Sequence, residues 1–173
     1  MSIGIAAIHT RLSSWSSDRD FLFLANQKED HMNGLNEKNG LSQKVNKQFE
    51  TRMVEMVFPN QTNHYGTLFG GQALQLMDKS AFMTASRYTR QAMVTACSER
   101  IDFKAPVKNG QLVEVVGNIV KHGNSSVTVF VELYAEDLLT GEQQLCAEGR
   151  FVLVAVDQNN RPVRLNPSLT CAR

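Results

Sequence analysis

One helical period set among strand-like segments constrains this chain more than any other feature. From Gly71 to about Tyr88 the apolar residues recur with the spacing of an α-helix. On a 100° wheel Leu74, Met77, Ala81, Phe82 and Ala85 share one face, and Gln72, Gln75, Lys79, Ser86 and Arg90 take the other. The other regular stretches read as strands. Met53 to Phe58 is a first strand, stopped by Pro59. Met93 to Phe103, Leu112 to Lys121, Val127 to Glu136 and Gln144 to Val156 are four more. Glycine-bearing turns, His122-Gly123-Asn124-Ser125 and Leu139-Thr140-Gly141-Glu142, separate the last three. This order predicts an α+β domain: a long central helix wrapped by a five- or six-stranded antiparallel sheet. A thin sheet leaves an exposed edge strand, which is expected to pair with a second copy as a dimer.

The rest of the chain bounds the choices. Asn26 to Asn46 is rich in Asn, Lys, Gln, Glu and Gly and lacks an apolar period. Residues 1–48 are therefore expected to be a poorly ordered extension, 49–165 the folded domain and 166–173 a tail. The net charge of +1 leaves no basic stripe for nucleic acid or a membrane surface. No apolar run approaches the roughly 18–20 residues of a membrane span. The apolar patch Ile3 to Ile8 has no basic segment before it, so no secretory signal is expected. Cys97, Cys146 and Cys171 form no CxxC pair, which suits a reducing cytoplasm, and Cys97 and Cys146 fall in strands as expected core residues. His9, His31, His64 and His122 lack metal-ligand spacing, and no phosphate-cradling or dinucleotide loop occurs, so no metal or cofactor is expected.

Asp78 carries the chemistry. The wheel puts it among Leu74, Phe82 and Ala85, on the face expected to be buried, with no cation one turn away. A buried carboxylate without a partner costs several kcal/mol at least, so something outside the helix must justify it. A salt bridge to a sheet residue such as Arg100 would do so, and so would a functional site; a wheel misjudged by one residue would remove the problem. Gly66, Gly70 and Gly71 sit at and before the helix start, where bare N–H groups can receive a carbonyl oxygen or a developing oxyanion; taken alone, a simple cap or a close helix–strand contact is the commoner reason for them. Gly71 and Asp78 are about 10 Å apart along a helix axis, too far to close a site within one chain. Asn63, in the loop before the glycines, has an amide that can position a water or a carbonyl, although Asn is also a common turn residue.

The run Asn63-His64-Tyr65-Gly66-Thr67-Leu68-Phe69-Gly70-Gly71, continued by Leu74 and Met77-Asp78, resembles the signature of hotdog-fold acyl-CoA thioesterases. These are the bacterial broad-specificity and brain-type cytosolic acyl-CoA hydrolases. Val94-Thr95-Ala96, Asp102-Phe103-Lys104-Ala105-Pro106-Val107, Lys121 to Val127, and Phe151 to Asp157 with Arg161-Pro162 match in order. The likeness covers roughly residues 50 to 165.

The resemblance implies a hotdog fold, paired into dimers that often assemble as trimers of dimers. It implies hydrolysis of acyl-CoA without a cofactor. Asp78 would be the base or nucleophile, and Asn63 would meet it across the dimer interface. The helix N-terminal N–H groups at Gly70 and Gly71 would polarise the thioester carbonyl. Gly123, Asn124, Ser125 and Ser126 would touch coenzyme A, with Lys104, Lys108 and Lys121 as candidate phosphate partners. His64 and Tyr65 would shape the pocket mouth. Two rivals stand beside this reading. A hotdog hydratase or dehydratase uses a His base where this helix offers Asp. A non-catalytic acyl-CoA sensor would carry a DNA-binding domain, and residues 1–48 show no helix-turn-helix pattern.

Overall fold

The computed structural model of the chain describes residues 49–166. The expected extension 1–48 and, apart from Asn166, the expected tail lie outside that range. Five strands form one antiparallel sheet: β1 (Glu50–Met56), β2 (Met93–Phe103), β3 (Leu112–His122), β4 (Ser126–Glu136) and β5 (Gln143–Ala155), in the order β1-β3-β4-β5-β2. One long helix, α1 (Gly70–Thr89), packs on one face. The order of elements matches the expectation, and four of the five strands lie within one residue of it. β1 starts earlier than Met53 because Glu50 to Met56 pairs with Asn118 to Leu112 of β3.

Alternation decides which side chains meet the helix. β4 alternates strictly, with Val127, Val129, Val131, Leu133 and Ala135 buried and their neighbours half-buried. The inward residues of β3 and β5, among them Val113, Val115, Phe151 and Leu153, complete the core with Leu76 and Met77 of the helix. Burial of an aliphatic side chain of this kind stabilises by about 1.5–3 kcal/mol.

The helix lies unusually close to β3. A Cβ at Gly117 would collide with Thr84 Oγ1 and come within 3.1 Å of Ser80 Oγ. The buried face of α1 is accordingly built mostly from small residues: Ala73, Ser80, Ala81, Thr84 and Ala85, beside Leu76, Met77 and Thr89. Thr84 donates its hydroxyl to Ser80 O at 2.7 Å, which satisfies a polar atom without widening the helix.

This contact corrects the expected wheel. Leu74 and Phe82 do not point into the core; they remain 37% and 46% exposed. The helix rolls its small side toward Gly117 because only that side fits, so the larger residues fall at the margin. Asp78 rolls with them and is half-buried rather than enclosed.

The sheet edges are unequal. β2 pairs only with β5, and Thr95, Ala96, Cys97 and Ser98 are all exposed along it. Its ladder slips between Thr95 and Cys97 and again between Ser98 and Ile101. Cys97 is thus an exposed thiol and not the expected core residue, because it lies on the outermost strand at a slip in the ladder; Cys146 is buried as expected. Among the described residues no helix is long and apolar enough to cross a membrane.

Gly117→Val should lower stability by about 1–3 kcal/mol or more, since it overpacks the helix–sheet contact. Urea unfolding followed by circular dichroism measures this. Pairing it with Thr84→Ala, which removes the obstructing hydroxyl and methyl, should recover part of the loss.

Candidate functional site

The helix N-terminus is shaped by the loop before it. Asn63 makes this loop a closed unit. Its Oδ1 accepts from Tyr65 N–H at 2.9 Å, Thr67 N–H at 3.2 Å and Thr67 Oγ1 at 3.2 Å. The backbone adds Asn63 N–H to Thr67 O at 2.8 Å and Gly66 N–H to Asn63 O at 3.0 Å. Gly66 holds φ +72°, which a side chain would strain. With three donors converging on Oδ1, the amide can face outward only through its NH₂ group. The candidate role therefore narrows: Asn63 offers a donor, suited to a carbonyl or water oxygen.

The chain then enters α1 without a side-chain cap. Ala73 N–H is the first to close a helical bond, to Phe69 O at 3.0 Å. Gly70 and Gly71 thus place their N–H groups in the first turn, where a helix has donors to spare. A Cβ at Gly71 would meet nothing within 4 Å, so the mouth is open there, whereas at Gly70 it would touch Phe103. Beneath Gly70 lies an open, mostly apolar cleft of about 360 Å³, lined by Leu68, Ala73, Phe103, Leu133, Cys146 and Ala147 among others. Burial pushes the Cys146 thiol pKa above its ordinary value, which keeps it protonated and inert.

Asp78 stands about two turns further along. Its Oδ1 accepts the Thr95 hydroxyl at 2.8 Å. Thr95 is the residue that the reading from helix and glycines did not single out for chemistry: a Thr in a strand reads as an ordinary β-former. Arg100, weighed as a partner for Asp78, binds Asp102 at 2.9 Å instead. Leu74 and Phe82 flank Asp78 one turn on either side along one ridge of the helix. Asn63 and Asp78 are not hydrogen-bonded to each other in the single chain.

The β3–β4 hairpin, Gly123 to Ser126, lies at the other end of the sheet. There Tyr88, in the last turn of α1, meets His122 edge-on with ring centroids 5.9 Å apart. A 20-residue helix spans about 30 Å, so one chain cannot bring Gly70 and Gly71 together with this hairpin. The hairpin is tied from behind: Gly123 N–H donates to Ser126 O at 2.7 Å, Ala155 N–H to Ser125 O at 2.9 Å and Leu165 N–H to Asn124 O at 2.8 Å. Of the three candidate lysines, Lys104 is engaged with Glu148 at 2.9 Å, while Lys108 and Lys121 are exposed.

Comparison with known proteins agrees with this architecture. Residues 65–142 match the thioesterase superfamily model. A Bacillus subtilis protein described as an uncharacterized acyl-CoA thioester hydrolase is 38% identical over 107 residues, which is 62% of this chain and 62% of that protein. The match thus spans less than two thirds of that relative. The crystal structure of an apo hexameric acyl-CoA thioesterase superposes with a TM-score of 0.66 at 35% identity, covering 69% of this chain and 76% of the other. An acyl-CoA hydrolase from Staphylococcus aureus, solved in complex with butyryl coenzyme A, coenzyme A and coenzyme A disulfide, superposes with a TM-score of 0.65 at 29% identity over 69% and 73% of the two chains. That enzyme was also solved as single alanine variants of an Asn, an Asp and a Thr, which are separated in that order by 15 and 17 residues. The chain belongs to the thioesterase superfamily, and its five strands and one long helix are the hotdog fold.

Asn63→Ala should loosen the loop locally without unfolding the domain. Hydrogen–deuterium exchange at the Tyr65 and Thr67 amides is expected to accelerate, while exchange in β3 and β4 stays at parental rates.

Proposed function

We propose that this protein hydrolyses acyl-CoA thioesters to a free carboxylic acid and coenzyme A, at sites shared between two copies of the chain. The observation that carries the reading is the Asp78–Thr95 hydrogen bond beside an open helix margin and an unpaired strand edge. Asn63, Asp78 and Thr95 are separated by 15 and 17 residues, the same spacing as the three positions replaced in the Staphylococcus aureus hydrolase. That match in type and spacing supports giving the three residues one shared task.

The second copy answers the distance problem. A two-fold axis at the β2 edge sets two strands antiparallel and runs the two helices in opposite directions. Asn63, Gly70 and Gly71 of one copy then approach Asp78 and the Gly123–Ser126 hairpin of the other. The exposed Leu74 and Phe82 lose water contact in the same step. The solved hexameric thioesterase supports assembly beyond the dimer, as a trimer of dimers.

The chemistry follows from the groups present. The first-turn N–H groups at Gly70 and Gly71, with the Asn63 amide, polarise the thioester carbonyl. The apolar cleft below Gly70 receives the acyl chain. Thr95 holds one oxygen of Asp78 and leaves the other toward the reacting carbon. Asp78 either takes a proton from the attacking water or itself attacks and is released by water. In both routes the carbon–sulfur bond breaks and the thiolate of coenzyme A departs, a leaving group that needs no strong acid. We place the protein in the cytoplasm, where the unpaired Cys97 and Cys146 stay reduced.

Release of free thiol from a panel of acyl-CoAs tests the assignment. Asp78→Asn should reduce turnover by about 10²–10⁴-fold, the usual worth of a positioned base. An unchanged rate would remove Asp78 from the mechanism. Co-refolding equal amounts of Asp78→Asn and Asn63→Ala should restore about a quarter of parental activity. Half the dimers are then mixed, and each mixed dimer holds one intact site of two. The edge is tested separately by alkylation mapped to Cys97: labelling should be slow in the assembled protein and fast after dilution to monomers.

A further inference from the structure

The cleft under Gly70 is made by one small residue in a row of larger ones. Val115 of β3, Leu133 of β4, Ala147 of β5 and Phe103 of β2 are paired across the sheet and share its helix-facing side. Leu133 and Phe103 stand two strands apart, about 10 Å. Between them Ala147 stops at its Cβ, and of the helix only Gly70 and Ala73 line the space. The result is a slot one side chain wide. Leu133, fully buried, forms one wall and the Phe103 ring the other. The ring lies 3.7 Å from where a Cβ on Gly70 would stand, so the helix start rests on that outer wall.

The slot also has an end. The β4–β5 ladder passes from Leu133–Ala147 to Tyr134–Leu145, which leaves Cys146 as the extra residue of a β-bulge. Strict alternation would send Cys146 to the outer face of the sheet. The bulge turns it inward instead, so Cys146 and Ala147 are buried in succession, 2% and 1% exposed. Cys146 is held there. Its carbonyl accepts Lys104 N–H at 2.7 Å and Ala105 N–H at 3.3 Å, and its thiol donates to Gln144 O at 3.4 Å. The same two N–H groups, with Leu68 N–H on Val107 O at 2.8 Å, fix residues 103–107 as the side of the slot.

The lining carries no free charge. Lys104 is the one ionic side chain among the described lining residues, and its ammonium is drawn to Glu148 at 2.9 Å. Glu148 follows Ala147 in the strand and so stands on the opposite face of the sheet.

We infer that this slot selects the acyl group by shape, taking unbranched, non-polar chains, and that Cys146 is the stop that sets their length. The inference rests on the acyl-CoA reading and adds the class of acyl group to it. An apolar cavity of about 150 Å³ holds a benzene ring, so a cleft of about 360 Å³, part of it mouth, suits a chain of about six to twelve carbons. A slot one side chain wide takes a single line of methylenes. A polar group at the far end of the chain would meet a thiol and a carbonyl that already have partners, and would be desolvated without return.

The test follows thiol release on straight-chain acyl-CoAs from butyryl to palmitoyl. With the parent chain, kcat/KM should rise about fourfold per methylene up to a break within about six to twelve carbons. Adipoyl-CoA should fall at least about tenfold below hexanoyl-CoA. Cys146→Met, which lengthens the side chain at the stop, should lower the break by about two carbons, and Cys146→Ala should raise it by about one. Ala147→Leu, which fills the slot, should flatten the dependence on chain length. A break that stays put in both Cys146 variants, or a parent rate independent of chain length, overturns the inference. If the parent hydrolyses none of the series, the catalytic reading fails by itself, and melting temperatures with straight-chain free acids decide the slot. Stabilisation that grows with length to a break, and a break that Cys146→Met lowers, supports it. No stabilisation by any acid, or a break that Cys146→Met leaves in place, removes it. The same melts without acid show whether each variant is folded.

Discussion

The contact between α1 and Gly117 sets the rest of the molecule. A helix can approach a sheet so closely only where the strand gives up its side chain and the helix offers small ones, and here Gly117 faces Ser80 and Thr84. Once that face is committed, the helix has no rotational freedom left. Asp78 is then held at the margin, within reach of Thr95 on β2, with Leu74 and Phe82 on either side. A carboxylate enclosed on all sides would have to be neutralised or paired at considerable cost. At the margin it keeps one oxygen bonded to Thr95 and the other open, as the proposed chemistry needs.

The same geometry explains why a single chain looks unfinished. Its open mouth at Gly71, the exposed ridge of Leu74 and Phe82, and the free outer edge of β2 all lie on the helix and edge that β3 and β4 leave uncovered. Hydrophobic burial and strand pairing both favour filling that side with a copy of itself. The incompleteness is local: away from this side β4 alternates cleanly, and Arg52 and Lys104 are paired with nearby carboxylates.

Much of this was legible in the sequence where one signal dominated. The helix, the four later strands and both hairpin turns follow from periodicity and glycine placement. The roll of the helix did not, because the wheel ranks residues by hydrophobicity, and Leu74 and Phe82 outrank Ser80 and Thr84. Gly117, a glycine inside a strand, was the available sign that a backbone comes close there. Asp78 stood out as an acid among apolar residues. Its partner Thr95 did not, since a hydroxyl in a strand carries no pattern of its own. Cys97 was assigned to the core by strand membership, which says nothing about whether the strand lies at an edge. Residues 161–166, which form a strap between the helix end and the β3–β4 hairpin, have no period at all; the strap is defined by the Gln91 amide on Arg164 O and Asn166 N–H and by Leu165 N–H on Asn124 O, pairs far apart in the chain.

The strap has a consequence for how the molecule is made. Every strand and the helix precede it in the chain, so a nascent polypeptide can complete the sheet while residues 161–166 are still to emerge. Leu165 can dock only into a hairpin that already exists. Asp78, Thr95 and the helix mouth can therefore be positioned first. The helix end and the hairpin tip are clasped last, and a chain cut just after β5 would keep the Asp78–Thr95 pair without that clasp.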